Sequence, residues 1–217
     1  MIIHDFSKEN SVLNQFVLEM RDVSIQKDSM RFRKNIERIG EILSYEMSKT
    51  LHYKTEVVKT PLGEKEIKVP ETDVVVCSIL RAALPLHTGV ISFFDKAENA
   101  YISAYRHHAD GGDDFEVIVN YLASPSIEGK TLLLTDPMLA TGRTLENVLK
   151  AFKNHGTPKQ IHILSIIGAK PGIEYIKDIF PQNTHLWIAA VDEKLNSRGY
   201  ILPGLGDAGD LAFGEKL

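Results

Sequence analysis

"LLLTDPMLATGRTLENVL", residues 132–149, opens as a continuous apolar run, passes through a short polar turn and leaves into a segment with Leu145, Val148, Leu149 and Phe152 at helical spacing. An unbroken apolar run bounded by turn residues reads as a strand covered on both faces, and apolar residues three and four apart read as one face of a helix. The stretch is therefore a strand–turn–helix unit, with the helix starting near Thr141 to Thr144. In open α/β sheets ligands sit beyond the carboxyl ends of the strands, where the first turn of the next helix offers unpaired N–H groups and a partial positive charge. Hydroxyls and amides can converge there on a phosphate. Asp136, an acceptor-only carboxylate at the strand end, suits paired sugar hydroxyls, so the turn has the shape expected of a ribose 5-phosphate site. It lacks the Gly-Lys-Ser/Thr ending of a P-loop and the G-x-G-x-x-G of a dinucleotide fold.

Working outward, "DVVVCSIL" (73–80), "NAYISAY" (99–105), "QIHILSIIG" (160–168) and "HLWIAA" (185–190) are further apolar runs alternating with helical segments. That alternation predicts an α/β architecture, a central, mostly parallel sheet flanked by helices. Trp187 and Cys77 fall inside strands and read as core, Cys77 as a small buried hydrophobe. Upstream, "RFRKNIERIGEILSYEMSK" (31–49) places Phe32, Ile36, Ile39, Leu43 and Met47 on one helix face, and "TEVVKTPLGEKEIKV" (55–69) reads as a hairpin about Pro61 and Gly63. Gly111 and Gly112 mark a mobile turn in "HHADGGDD" (107–114), a candidate lid with His107 and His108 on a solvated loop, ahead of "FEVIVNYL" as an extra strand outside the parallel set. The tail from Asn196 is too rich in glycine for a helix, and Tyr200 and Phe213 read as core fillers. The expected organisation is a single domain over 1–217, with a helical and hairpin extension over about 1–72, a core over about 73–190 and a C-terminal segment over about 191–217.

Composition sets the bounds. The 217 residues are 43% hydrophobic and 25% charged, enough apolar matter for a core without staples. A net charge of -4 gives no global pull toward nucleic acid or a membrane surface, and neither is expected as a partner. One cysteine allows no internal disulfide, and no apolar run approaches the roughly 20 residues of a membrane span. Together with an N-terminus unlike a signal peptide, these features lead us to expect a cytoplasmic protein.

Five stretches carry a family resemblance. "DPMLATGRT" resembles the phosphoribosyl-pyrophosphate (PRPP) loop of type I phosphoribosyltransferases in the form seen in uracil phosphoribosyltransferase. "RFRKNIERIGEILSYE" is similar to that enzyme's N-terminal helix, "SILRAAL" to its pyrophosphate-side loop, "YR" at 105–106 to the basic end of its next strand, and "GYILPGLGDAGDLAFG" to its uracil-binding segment. No pair of His, Cys, Asp or Glu residues shows metal-ligand spacing, so Mg²⁺ is expected to come with PRPP rather than at a protein metal site. The resemblance implies the type I fold and transfer of a phosphoribosyl group to uracil, giving UMP. It implies PRPP contacts at Arg81, Arg106, Asp136, Pro137, Met138, Leu139, Ala140, Thr141, Gly142, Arg143, Thr144 and Asp207, with Asp207 and Arg106 nearest the chemistry. Uracil contacts fall on Ile201, Gly206, Asp207 and Ala208, and at least a homodimer is implied.

The residues suit those roles. Arg81 opens the helix after the first sheet strand and Arg106 ends the second, so both guanidiniums reach one anionic site. Uracil is small and neutral, and its O4, N3–H, O2 edge can be matched by backbone groups of a glycine-dense strap that would leave cytosine's amino group facing a donor. Two departures stand out: Arg143 and Thr144 occupy the place of a usual Gly-Ser, and Ala83 replaces a usual glycine, which would obstruct a positive φ. Two other readings use the same residues. One is a pyrimidine-operon RNA-binding regulator of this fold, which needs a basic face and is disfavoured by the acidic balance and intact strap. The other is a nucleotide-binding relative disabled on its pyrophosphate side.

Overall fold

The computed structural model describes residues 1–71, 73–107 and 116–216, the side chains of 104–107 and 116–119 excepted. Short edge and long helical elements come first: β1 (Ile2–Asp5), α1 (Val12–Arg21), α2 (Ser29–Ser48), and the hairpin β2 (Tyr53–Thr60) and β3 (Gly63–Pro70). Then follow β4 (Val74–Leu80), α3 (Leu84–Ile91), β5 (Glu98–His107), β6 (Glu116–Ala123), β7 (Thr131–Thr135), β8 (Met138–Leu139) and α4 (Arg143–Ala151). β9 (Gln160–Ala169), α5 (Lys170–Ile179), β10 (His185–Asp192), β11 (Lys194–Leu195), β12 (Ile201–Leu202) and α6 (Ala208–Phe213) complete the chain.

The main sheet runs β1-β10-β9-β7-β4-β5-β6, with β8 beside β9. All its pairs are parallel except β5 with β6, the expected strand outside the parallel set. From β4 the chain moves outward to β5 and β6, then returns to β7 on the other side of β4. The strand order therefore reverses between β4 and β7, the topological switch point at which open α/β sheets hold ligands.

Pleating sorts the apolar runs onto two faces. Val74 and Val76 join Leu133 under α2 and α3, while Val75, Cys77 and Ile79 join Leu132 and Leu134 under α4 and α5. Both faces are covered, which is why these strands are apolar throughout. Burial pushes the Cys77 thiol up to about 12, as expected of a packing residue. Trp187 is likewise core, its indole N–H donating to His162 Nδ1 at 3.0 Å.

The long helix forms as its periodicity predicts. Asp28 caps it by accepting from the Arg31 N–H, and Phe32, Ile36, Ile39, Leu43 and Met47 are all buried. At about 1.5–3 kcal/mol per large apolar side chain, this face anchors the helix on the sheet. Glycines bring α2 and α3 close, since a methyl group at Gly89 would lie 2.1 Å from the Glu37 carbonyl oxygen.

Several expectations need correction. The opening residues, placed ahead of the core, supply edge strand β1 beside β10; four residues are too short to carry a periodic signal. His107 is the last residue of β5, opposite Glu116, rather than part of a loop, because the β5–β6 ladder extends that far. Residues 108–115, with most of the expected lid, lie outside the described residues. No helix among the described residues is long and apolar enough to cross a membrane.

Candidate active site

β7 ends on buried Thr135, and Asp136 begins the turn with its Oδ1 accepting the Met138 N–H at 3.2 Å. The Pro137 carbonyl accepts from the Ile166 and Ile167 N–H groups at 3.1 and 3.0 Å, and Met138 and Leu139 pair in parallel with Ile167 and Gly168. The turn is therefore stitched to β9. Gly142, at φ +79°, caps α4 in the left-handed region, which explains why a glycine stands there. The next residue's N–H reaches Thr141 Oγ1 at 3.4 Å. Behind the turn, α5 leaves no room: a methyl group at Gly172 would sit 1.9 Å from the Ala140 carbonyl oxygen. The result is a small concavity lined by Asp136, Met138, Leu139, Ala140, Thr141, Gly142, Thr144 and Leu145, with Pro137 buried outside the lining and Arg143 exposed beside it. Its floor is the amide-rich start of α4, so its field favours an anion.

Arg81 lies in the turn between β4 and α3, three residues ahead of the helix it was expected to open. Its Nη2 donates to Asp210 Oδ1 at 3.0 Å and to the Gly214 carbonyl at 3.1 Å, while its buried Nε–H has no partner among the described residues. Ala83 has φ -76°, so its methyl group meets no backbone obstruction and is simply buried. Arg106 occupies β5 opposite Val117, on the strand beyond β4; its side chain lies outside the described residues.

The C-terminal strap closes over the same strand ends. Ile201 is buried in β12, paired with β11, and Gly204 at φ +66° turns so tightly that a methyl group there would meet the Ile201 oxygen at 2.2 Å. Asp192, the last residue of β10, accepts the Gly204 N–H at 2.9 Å and a two-point ion pair from Arg21 at 2.9 Å each, and Arg21 also donates to the Gly204 carbonyl at 3.0 Å. Gln26 donates to the Leu205 carbonyl at 3.1 Å. None of Arg21, Gln26 and Asp192 was singled out from the sequence, and only their distance from any glycine motif hid them.

The tail contains a helix despite its glycines. Asp207 caps α6 by accepting from Gly209 and Asp210 at 2.8 and 3.1 Å, Arg33 caps the other end through the Ala212 carbonyl at 2.7 Å, and Gly214 stops it at φ +89°. Glycine density marks the ends here and caps override propensity. Tyr200 and Phe213, expected in the core, are 44% and 39% exposed, with the Arg33 guanidinium over the Phe213 ring. Gly206 is exposed at φ +91°, Asp207 half-buried and Ala208 buried. Turn, Arg81 and strap thus converge at the carboxyl end of the sheet.

Comparison with known proteins agrees with this geometry. The family model described as uracil phosphoribosyltransferase matches residues 7–215. A uracil phosphoribosyltransferase of Porphyromonas gingivalis is 51% identical over 100% of this chain and 99% of its own, and one from Pyrococcus furiosus 39% identical over 97% and 89%. Among solved structures, the AQ2163 protein from Aquifex aeolicus superposes with a TM-score of 0.87 at 29% identity, covering 98% of both chains. A hypoxanthine phosphoribosyltransferase from Staphylococcus aureus, 16% identical over 86% of this chain and 83% of its own, gives 0.51 and speaks to the fold alone. The chain has the type I phosphoribosyltransferase fold and belongs to the uracil phosphoribosyltransferase family.

Proposed function

We propose that this chain transfers the 5-phosphoribosyl group of PRPP to N1 of uracil, giving UMP and pyrophosphate. The observation that carries this is the convergence of an amide-lined turn, an arginine and a glycine strap over one switch point, linked by the Arg81–Asp210 pair. Amides of residues 141 to 144 bind the 5-phosphate, and Asp136 accepts from the ribose hydroxyls. Arg81, with its unpaired Nε–H, and Arg106 receive the diphosphate. Main-chain groups of Ile201 and of Gly206 to Ala208 read uracil's polar edge.

Uracil N1 attacks C1 of the ribose opposite the departing pyrophosphate, and positive charge builds on the sugar. The chain supplies orientation, a countercharge for the leaving group and exclusion of water, each acting most strongly where charge develops. No covalent protein intermediate is needed. Mg²⁺ would arrive with PRPP and add positive charge at the diphosphate, beside the countercharge that Arg81 and Arg106 supply. The protein acts in the cytoplasm as a homodimer or larger assembly. The hairpin leaves Val57, Leu62 and Ile67 exposed, and a two-stranded ribbon gains stability from a partner surface.

The test is incubation with PRPP, Mg²⁺ and each nucleobase in turn, with UMP and pyrophosphate as the readout; product from another base, or none, overturns the reading. Asp207→Asn preserves the cap, since asparagine caps as well as aspartate, yet is expected to lower turnover at least about tenfold. Wild-type turnover with an intact fold removes Asp207 from the chemistry.

A further inference from the structure

Beneath the site lies a chain of polar side chains inside an otherwise apolar interior. Ser78, Thr135 and His87 are 0%, 0% and 4% exposed. Ser78 Oγ lies 2.6 Å from His87 Nδ1 and 2.9 Å from Thr135 Oγ1, while Tyr101 Oη lies 3.2 Å from His87 Nε2. Thr135 Oγ1 donates to the Cys77 carbonyl at 3.3 Å. A carbonyl only accepts, so with the Thr135–Cys77 bond made, one consistent assignment runs along the rest. Thr135 accepts from Ser78, Ser78 accepts from Nδ1–H of His87, and Nε2 accepts from Tyr101. In this assignment every hydroxyl hydrogen has one acceptor, and His87 is neutral with its proton on Nδ1. Burial, the larger effect, pulls its pKa below the ordinary histidine value against an opposing contact from Asn99.

The members come from four elements, each leading into the site. Ser78 stands three residues before Arg81, Thr135 directly before Asp136, His87 one turn into α3 after the Arg81 loop, and Tyr101 on the strand that carries Arg106. Ser78 and Thr135 also form the last rung of the β4–β7 ladder, beyond which the two strands part at the switch point. No backbone bond joins β4 directly to β7 past that rung; the Asp136 N–H is held by the Leu164 carbonyl of β9 at 3.1 Å, and the polar side chains link the Arg81 side to that turn. α3 itself is fixed, because Gly89 packs against the α2 backbone. Buried polar groups disfavour folding unless every partner is present, and an apolar trio could fill the same volume with similar stability. What an apolar trio lacks is direction.

We propose that His87, through Ser78, Thr135 and Tyr101, is a positioning residue that sets the pyrophosphate-side loop against the ribose-side turn for PRPP. The inference rests on the proposed transferase reaction, but it is read from PRPP binding as well as from turnover. Thr135→Val and Ser78→Ala each remove one hydroxyl with little change in shape, and His87→Leu removes the hub. PRPP·Mg²⁺ affinity by calorimetry and the KM for PRPP are expected to weaken about tenfold in each, a factor that corresponds to 1.4 kcal/mol. The KM for uracil should hold within about twofold. Ser78→Ala in a His87→Leu background should add little, as expected of residues acting through one chain of bonds. His87→Asn, whose side-chain amide reaches the Nδ1 position and so Ser78, should recover most of the PRPP affinity.

Unchanged PRPP affinity with a lowered melting temperature would make the network structural only and overturn the inference, as would fully additive Ser78 and His87 effects. Should His87→Leu fail to fold, Thr135→Val decides by the same two readouts. A wild-type protein that binds PRPP with this variant pattern yet makes no UMP would sink the reaction and keep the positioning role. Normal UMP formation with unaltered PRPP constants in all variants would do the reverse.

Discussion

The turn after β7 and the C-terminal strap lie at the same end of the sheet, yet different forces hold them. The turn, residues 136–144, is fixed by backbone on backbone: the Pro137 carbonyl on Ile166 and Ile167, the β8 ladder on β9, and the bare Gly172 against Ala140. The strap, residues 201–214, hangs on side chains brought from far along the chain: Arg21 and Asp192 on Gly204, Gln26 on Leu205, Arg33 on Ala212 and Arg81 on Asp210. Main-chain packing has few alternative arrangements, whereas partly buried side-chain contacts can be broken one at a time. On the proposed roles, the phosphate side gains from rigidity, and the uracil side, which must admit and release its ligand, gains from the looser mounting.

The largest expected effect breaks the rigid half. Gly172→Ala places a methyl group 1.9 Å from the Ala140 oxygen, and the nearest atoms are all backbone, so the turn itself must move. Displacement by about 1 Å at a positioning site costs on the order of a hundredfold, and kcat/KM for PRPP should fall by that amount while uracil KM changes little. Steady-state kinetics with each substrate varied separately reads this directly. An equal loss for both substrates would mean that turn and strap are not mounted independently.

A smaller effect should come from the strap. Arg21→Ala leaves Asp192, 8% exposed, with a single N–H donor and frees the Gly204 carbonyl. Arg21 is itself 24% exposed, so water takes up part of the loss, and about 1–2 kcal/mol of stability is expected to go rather than the 3–5 kcal/mol of a fully buried pair. Uracil KM should rise about tenfold with PRPP KM within about twofold, as measured by initial rates and a thermal melt. Loss of PRPP affinity instead would make Arg21 part of the phosphate side.

That contrast also explains what was legible in the sequence. The turn reads directly because its chemistry is local: a strand, an Asp, a Thr-Gly and a helix face are consecutive, and each keeps its place in the structure. The strands on both sides of the switch point were equally plain, since burial on both faces leaves apolar runs with no period. The strap's glycines were visible too, but its supports were not. Arg21 and Asp192 are 171 positions apart and either alone looks like an ordinary surface charge. The α6 helix was missed because its stability comes from Asp207 and Arg33 at its ends rather than from its residues. Gly172 gave no signal, since a glycine in the first turn of a helix has meaning only through the loop it faces. β1 was too short to register beside the stronger pattern of α2.

The smallest expected effect sharpens the comparison from the turn's own rim. Arg143 is the one charged side chain in "ATGRT", and a reading based on charge would make it a principal phosphate ligand. The geometry argues otherwise. Its N–H points to Thr141 Oγ1, the backbone has already entered α4, and the side chain is exposed at the rim where salt and water screen it. If backbone amides and the helix start provide the grip, Arg143→Ala should raise PRPP KM less than about threefold, within the 0.3–1 kcal/mol typical of an exposed charge beside a helix end. The residual dependence should vanish on raising the ionic strength, because a rim charge acts through solvent while the amides do not. A tenfold or larger loss that persists in high salt would mean that the guanidinium enters the concavity, and the turn would then share the strap's reliance on side chains.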